Sequence, residues 1–355
     1  MDPTDFEVID SVLFDCQNKA NPGKYLTPVN GSEVWHEFKK SRNVLPFKYE
    51  KLSYDPKEVE EVLKGLEVPE GPLEDVYKRK IEELLIFNEM IAKRDDPKEV
   101  RRLSKESFGS PDKELVSIAE TILGEPTTEV PKGETAEQVH DAMRKELDKL
   151  GLTDWTVVYS PKYITTVTTT EKKIAVCEDK KFGIGDCERL CVHEVNVHVL
   201  RSANGAKQPF GIFGLGCPGY KDTEEGLAAY CEELTETGTT IGLRKYAARA
   251  MAVHMMETGL SLQDTYEELK QYKAFEGAKA GDVWGICVRV YRSGGFFKDH
   301  LYLKGYLDVK RFHEGGGDLS LLWIGKIGLN DLPLVNELIT SGDLERPAVV
   351  PEWVS

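Results

Sequence analysis

The sequence predicts an α+β fold, with a small antiparallel sheet set between two largely helical stretches. Three observations carry this reading. Apolar side chains recur at helical spacing through residues 73–94, β-branched runs with a period of two follow at 155–177, and an almost wholly apolar helical segment comes next, at 187–202.

Taken in order, residues 1–125 read as a helical accessory region. Within 73–94, Val76, Ile81, Leu84, Leu85 and Ile91 fall on or near one stripe. Shorter helical patterns follow at 97–107 and 112–123, the second opening after Pro111. The stretch from Gly124 to Gly133 is dense in structure-breaking residues, which places a boundary there and a second domain over 126–355. A helix at 134–150 is stopped by Gly151. Trp155 to Ser160, Tyr163 to Thr168 and Lys173 to Cys177 then alternate like strands of an antiparallel sheet. After the apolar helix, helical patterns recur near 223–236, 241–257, 262–274 and 281–292.

Composition narrows the class of function. Apolar residues at 40% and charged residues at 30% are those of an ordinary soluble globular chain. No run approaches the roughly 18 apolar residues of a membrane span, and the acidic N-terminus lacks the layout of a signal peptide. A cytoplasmic location is expected. The seven scattered cysteines form no CxxC pair and read as free thiols. A net charge of −15 argues against nucleic acid or an anionic membrane as partner.

The chemistry lies in Cys191-Val-His-Glu-Val-Asn-Val-His-Val-Leu200. Two histidines on one helix, with a glutamate beside the first, form the arrangement of zincin metallopeptidases. His193 and His198 would hold zinc, and Glu194 would take a proton from the attacking water. Histidines four apart lie about 40° apart around an α-helix, but five residues separate this pair, which in a regular α-helix gives about 140°. Both rings can reach one ion only if a π-turn near Val195–Val197 absorbs the extra residue. The flanking valines bury the helix, and buried imidazoles and carboxylates need compensation that a metal can supply. Glu224, Glu225, Glu232 and Glu233, on the helix that follows, are the candidate third ligands.

The combination of HEVNVH, LRSANG and EEGLAAYCEEL resembles the tyrosine/phenylalanine carboxypeptidase family with its HExxxH and QEGLA-like motifs. Its best-known members are microtubule-associated enzymes that remove the C-terminal tyrosine of α-tubulin. The likeness runs from about residue 130 to 340 and takes in Arg292-Ser-Gly-Gly and Phe297 to Gly305. It implies one zinc per chain on His193, His198 and Glu225, with Glu194 as base and a peptide or protein C-terminus as substrate. Where the family often has glutamine this chain has Glu224, so two carboxylates adjoin and the choice between them rests on Glu225 directly preceding Gly226. Arg201 and Arg292 are candidates for the substrate's terminal carboxylate, and His300, Tyr302 and Tyr306 for the developing oxyanion. The strand Lys173–Cys177 is expected as an edge on which the peptide would lie.

Two other readings compete. A dipeptidyl-peptidase with HExxGH shares the spacing, but Asn196 stands where its glycine would be. A non-catalytic binding module would be marked by loss of Glu194 or of a ligand, and none is missing. Microtubule binding is expected to be weak or absent unless the fold gathers Lys78, Arg79, Lys80, Arg101 and Arg102 onto one face.

Overall fold

The computed structural model describes residues 1–161, 166–168 and 171–354. It is a helix-rich α+β arrangement with two small sheets. The chain forms two compact units. One comprises Met1–Glu7, Thr128–Thr240 and Gly305–Ser355, and the other Val8–Thr127 and Ile241–Lys304.

In the second unit the expected helices at 73–94, 97–107 and 112–123 appear as Glu74–Ala92, Pro97–Phe108 and Lys113–Gly124. Asp96 and Asp112 cap the last two by accepting backbone N–H groups of the first turn. After an early crossing at 7/8 the chain crosses again at 127/128, inside the breaker-rich stretch, but it returns over 241–304. Helices that a single cut near 125 assigns to the second domain therefore pack with the N-terminal ones. Aromatic burial is the physical reason. Phe38 and Trp35 stack on Trp284 with centroids 4.5 and 5.1 Å apart, and Tyr266 meets Phe38 edge-on at 5.0 Å.

The first unit holds both sheets. Strand β1 (Lys132–Glu134) precedes the helix Ala136–Lys149, which Thr135 and Gln138 open with a reciprocal capping box and Gly151 ends at φ +70°. Then come β2 (Thr156–Ser160), β3 (Thr166–Thr168), β4 (Lys173–Cys177) and β5 (Phe182–Gly183). Tyr163, Ile164 and Thr165 of the expected second strand lie outside the described residues.

The larger sheet has the order β2-β4-β3, and it is mixed rather than antiparallel. β3 and β4 are antiparallel, whereas β2 runs parallel to β4 with Thr156 opposite Lys173 and Ser160 opposite Cys177. Ile174, Val176 and Cys177 are buried, so β4 takes the middle of the sheet, where both its edges are hydrogen-bonded. It cannot be the edge that receives a peptide. The strand lying against the π-helical segment of the site is β3, at the sheet's edge.

Gly226 and Gly305 set how closely two segments of this unit cross. A Cβ on Gly226 would overlap the backbone of Gly305, and one on Gly305 would overlap the carbonyl of Asp222. Gly226→Ala is expected to cost about 1–3 kcal/mol by overpacking. Thermal unfolding checks this, and an unchanged Tm would show that the crossing has slack.

Candidate metal centre

Residues 186–205 form one helical run, α over Asp186–Leu190, π over Cys191–Val199 and α again over Leu200–Gly205. It starts at Gly185, in the left-handed region at φ 88°, where the Glu134 carboxylate accepts the N–H groups of Gly185 and Cys187 at 2.8 and 2.6 Å. Within the π segment, Leu200 N–H donates to Val195 C=O, five residues back. The Asn196 carbonyl, which an α-helix would give to Leu200, accepts the buried indole N–H of Trp323 at 2.6 Å. The expected distortion is thus present and extends beyond Val195–Val197. Its consequence is that the His193 and His198 rings come together, with centroids 5.0 Å apart.

The helix Tyr220–Leu234 packs against this segment and brings up the carboxylates. Ligand atoms of His193, His198 and Glu225 all lie within 4.8 Å of one another. Glu224 and Glu232 take a different part. Glu224 Oε1 accepts from His198 Nδ1 at 2.8 Å, and Glu232 Oε1 accepts from His193 Nδ1 at 2.8 Å. With both Nδ1 atoms tied to carboxylates, Nε2 is the donor that each ring can offer a metal. Such pairing fixes the tautomer and orientation of a ligating imidazole. Glu233 turns away, accepting from Tyr306 Oη and from Lys310 Nζ at 2.6 Å.

These carboxylates are themselves held. Arg189 donates to Glu232 at 3.1 Å while chelating Asp186, and Arg201 Nη1 lies 3.5 Å from Glu224 Oε2. Burial pushes the Glu224 carboxyl up, but the His198 hydrogen bond, Arg201 and Lys326 outweigh it and hold the group at about 2. Burial pushes His198 down, yet the Glu224 hydrogen bond and the charges of Glu224, Glu225 and Glu194 raise it to about 9. Glu232 also stays below the usual carboxylate range against the effect of burial, through His193 and Arg189.

The remaining sequence candidates fare differently. Arg201 is fully buried and spends its guanidinium on the carbonyls of Leu322, Gly325 and Ile327 at 2.6–3.1 Å. It braces Glu224 and the 319–327 segment, and is not open to a substrate carboxylate. Arg292, His300 and Tyr302 belong to the other unit. There Arg292 lies 4.1 Å over the Phe296 ring, and His300 is buried with Nδ1 on the Phe297 carbonyl at 2.7 Å. Sequence reasoning offered Glu232 only as a possible ligand, where the structure sets it behind His193, and it missed Arg189 and Trp323. Glu224 and Glu232, eight residues apart, lie about 80° apart around the helix, so spacing alone gave no signal for a carboxylate behind each histidine.

Two imidazoles on a buried π segment and a carboxylate from the helix packed against it, each imidazole backed by a further carboxylate, make a candidate metal centre on an α+β scaffold. Residues 36–355 match the family model for microtubule-associated tyrosine carboxypeptidase, and the chain belongs to that family. The match reaches well into the N-terminal region, where no motif is evident. Over 176 residues the chain is 31% identical to Microtubule-associated tyrosine carboxypeptidase 1 of Mus musculus, covering 46% of this chain and 35% of that protein. The Homo sapiens protein of that name is 30% identical over 175 residues, with the same coverage. Putative tyrosine carboxypeptidase MATCAP2 of Mus musculus is 25% identical over 174 residues, 45% of this chain and 32% of that protein. The aligned part is thus about a third of each relative's length.

The pH dependence of the metal-free protein tests the inner pair. The lowered carboxyl of Glu224 contributes stability present above its ordinary 4.5 and lost as pH falls toward 2. The raised His198 contributes stability present below its ordinary 6.5 and lost as pH rises through 9. The Tm difference between wild type and Glu224→Gln, both stripped of metal, should peak between pH 4.5 and 6.5 and shrink toward pH 9. A difference independent of pH would contradict the pairing.

Proposed function

We propose that this chain is a zinc-dependent carboxypeptidase that releases the last residue, tyrosine or phenylalanine, from a peptide or protein C-terminus. One observation carries the reading: the ligand atoms of His193, His198 and Glu225 within 4.8 Å of one another, in a chain of the tyrosine carboxypeptidase family. Two neutral imidazoles and one carboxylate are a donor set that suits zinc in a catalytic site, where a fourth position stays open.

When bound, zinc would polarise the scissile carbonyl and acidify the attacking water. The chain's own residues do the rest. Glu194, nine-tenths buried on the π segment, takes the water's proton and returns it to the leaving amine. Glu224 and Glu232 keep both Nδ1 atoms protonated, so that Nε2 carries the lone pair. Arg189 and Arg201 hold those two carboxylates in place.

The relatives' names also speak of microtubules. In this chain Lys78 and Arg79 pair with Glu74 and Asp75, Arg102 with Glu99 and Glu106, and buried Lys80 lies against Glu83. Arg101 donates to the carbonyls of Met256 and Glu257. Each of the five is thus paired with an acid or spent on backbone carbonyls, and we expect weak association with the polymer.

The purified protein is expected to carry one zinc per chain, lost in His193→Ala, His198→Ala and Glu225→Ala. Glu224→Gln should weaken zinc binding about 10- to 100-fold without abolishing it. Glu194→Gln should keep zinc and lose turnover, so full activity in that variant would sink the mechanism. Normal zinc in Glu225→Ala would move the third ligand elsewhere. Amidating the C-terminus of a peptide ending in Tyr or Phe should lower kcat/KM by about 10- to 150-fold, because a charge-assisted contact to the terminal carboxylate is lost. Acetylating the N-terminus should change little. Cleavage of the amide at the same rate, or dipeptides released from the N-terminus, would favour a dipeptidyl-peptidase.

A further inference from the structure

α and π registers compete for the same backbone groups, so the π segment Cys191–Val199 needs something that favours one over the other. If Leu200 N–H moved from the carbonyl of Val195 to that of Asn196, α register would return. The His193 and His198 rings, 5.0 Å apart by centroid, would then diverge. The Asn196 carbonyl, however, is engaged by the indole N–H of Trp323 at 2.6 Å. Drawing that carbonyl back into an α ladder would leave a buried indole N–H without its acceptor, which is costly. The Asn196 side chain adds to the hold. Its Nδ2 donates to Glu146 Oε1 at 3.2 Å, on the helix Ala136–Lys149, and to the Cys191 carbonyl at 3.4 Å, five residues back.

Trp323 can act in this way only if its own place is fixed. It is fully buried, and its segment is laced to both ligand-bearing elements. Asn204 Nδ2 donates to the Trp323 carbonyl at 2.9 Å, and Arg201 donates to the carbonyls of Leu322 and Gly325 on either side of it. A Cβ on Gly325 would stand 2.7 Å from the Phe213 carbonyl and 3.2 Å from Gly205 Cα, so the segment lies directly on the continuation of the π-helical run. Farther along, Leu329 N–H donates to Thr223 Oγ1 at 3.0 Å, two residues before Glu225. Residues 319–329 therefore hold the helical run of His193 and His198 and also the helix of Glu225. All of these contacts lie within one compact unit.

We propose that Trp323 is a positioning residue for the metal centre: with Asn196 it selects the π register, and through that register the convergence of His193 and His198. The proposal rests on the metal reading of those two histidines. Trp323 acts through the backbone of Asn196. Without the indole N–H, the donor left for that buried carbonyl is Leu200 N–H, and their bond is that of an α-helix. Removing one donor from a segment more than 100 residues away therefore favours the register in which the two imidazoles part.

The full chain, stripped of metal, is titrated with Zn2+ in competition with a chromogenic chelator, so that affinity is read without turnover. Trp323→Phe should bind zinc about 10- to 100-fold more weakly than wild type, the loss typical when a partner that orients a ligand is removed. Trp353→Phe is the packing control. That ring meets the Trp323 indole edge-on at 6.0 Å, and changing it should leave zinc affinity as it was. Where Trp323→Phe does not fold, benzothienylalanine at position 323 serves instead, since sulfur replaces the indole N–H in a ring of nearly the same size. It should weaken binding to the same extent. Zinc bound by neither wild type nor variant would sink the metal reading, and this proposal with it. Zinc bound by wild type and equally well by a folded variant lacking the indole N–H would overturn this proposal alone. An equal loss in Trp353→Phe would reduce the effect to packing and overturn it too.

Discussion

Leu200 N–H donates to the carbonyl of Val195, five residues back, and the geometry of the centre depends on that register. In α-helical register the two histidines would point about 140° apart. The π segment turns both rings to one side and frees the Asn196 carbonyl, which Trp323 then takes with its buried indole N–H. The distortion is thus held from outside the helix as well as along it. A π-turn costs backbone hydrogen-bond quality, and here it is retained at the point where two imidazoles must converge.

Charge is the second constraint. Glu194, Glu224 and Glu232 are buried beside two histidines, and Arg189 and Arg201 are drawn in from either side. A buried carboxylate is tolerated only when paired and hydrogen-bonded. The outer arginines offset the charge of Glu224 and Glu232, each of which in turn presents a lone pair to an imidazole. Glu225, next to Glu224 in sequence, points to the other side of this arrangement, with the ligand atoms of His193 and His198. Adjacent residues on a helix differ by about 100° in direction, which is why neighbouring glutamates can take distinct parts.

The other unit solves a comparable problem in another way. Several of its arginines lie over aromatic rings, with Arg244 over Phe275, Arg292 over Phe296 and Arg249 over Tyr302, while Arg289 takes the buried Asp299 carboxylate. Ring faces accept a guanidinium without neutralising it.

Much of the centre was legible in the sequence because it rests on local rules. Helical spacing predicted Glu74–Ala92, Pro97–Phe108 and Lys113–Gly124 almost to the residue, and the five-residue interval between histidines called for a π-turn if both rings were to face one point. The EEGLA run singled out Glu225, and Gly226 beside it proves to be where backbone meets backbone. Other features are decided by contacts between distant segments, which no window of sequence contains. β4 reads the same whether it sits at an edge or in the middle, and only its pairing with β2 and β3 makes the sheet mixed. Arg201 reads as an available cation until the carbonyls of Leu322, Gly325 and Ile327 close around it. Helices 241–304 join the N-terminal unit because Trp35 and Phe38 find Trp284 and Tyr266, residues more than 200 positions away. The sequence determined which residues could carry the chemistry, since residue type and helical phase are local. Which of them converge, and which are spent on holding the fold, was decided by tertiary packing, because burial and hydrogen-bond partners are set by what the rest of the chain brings alongside.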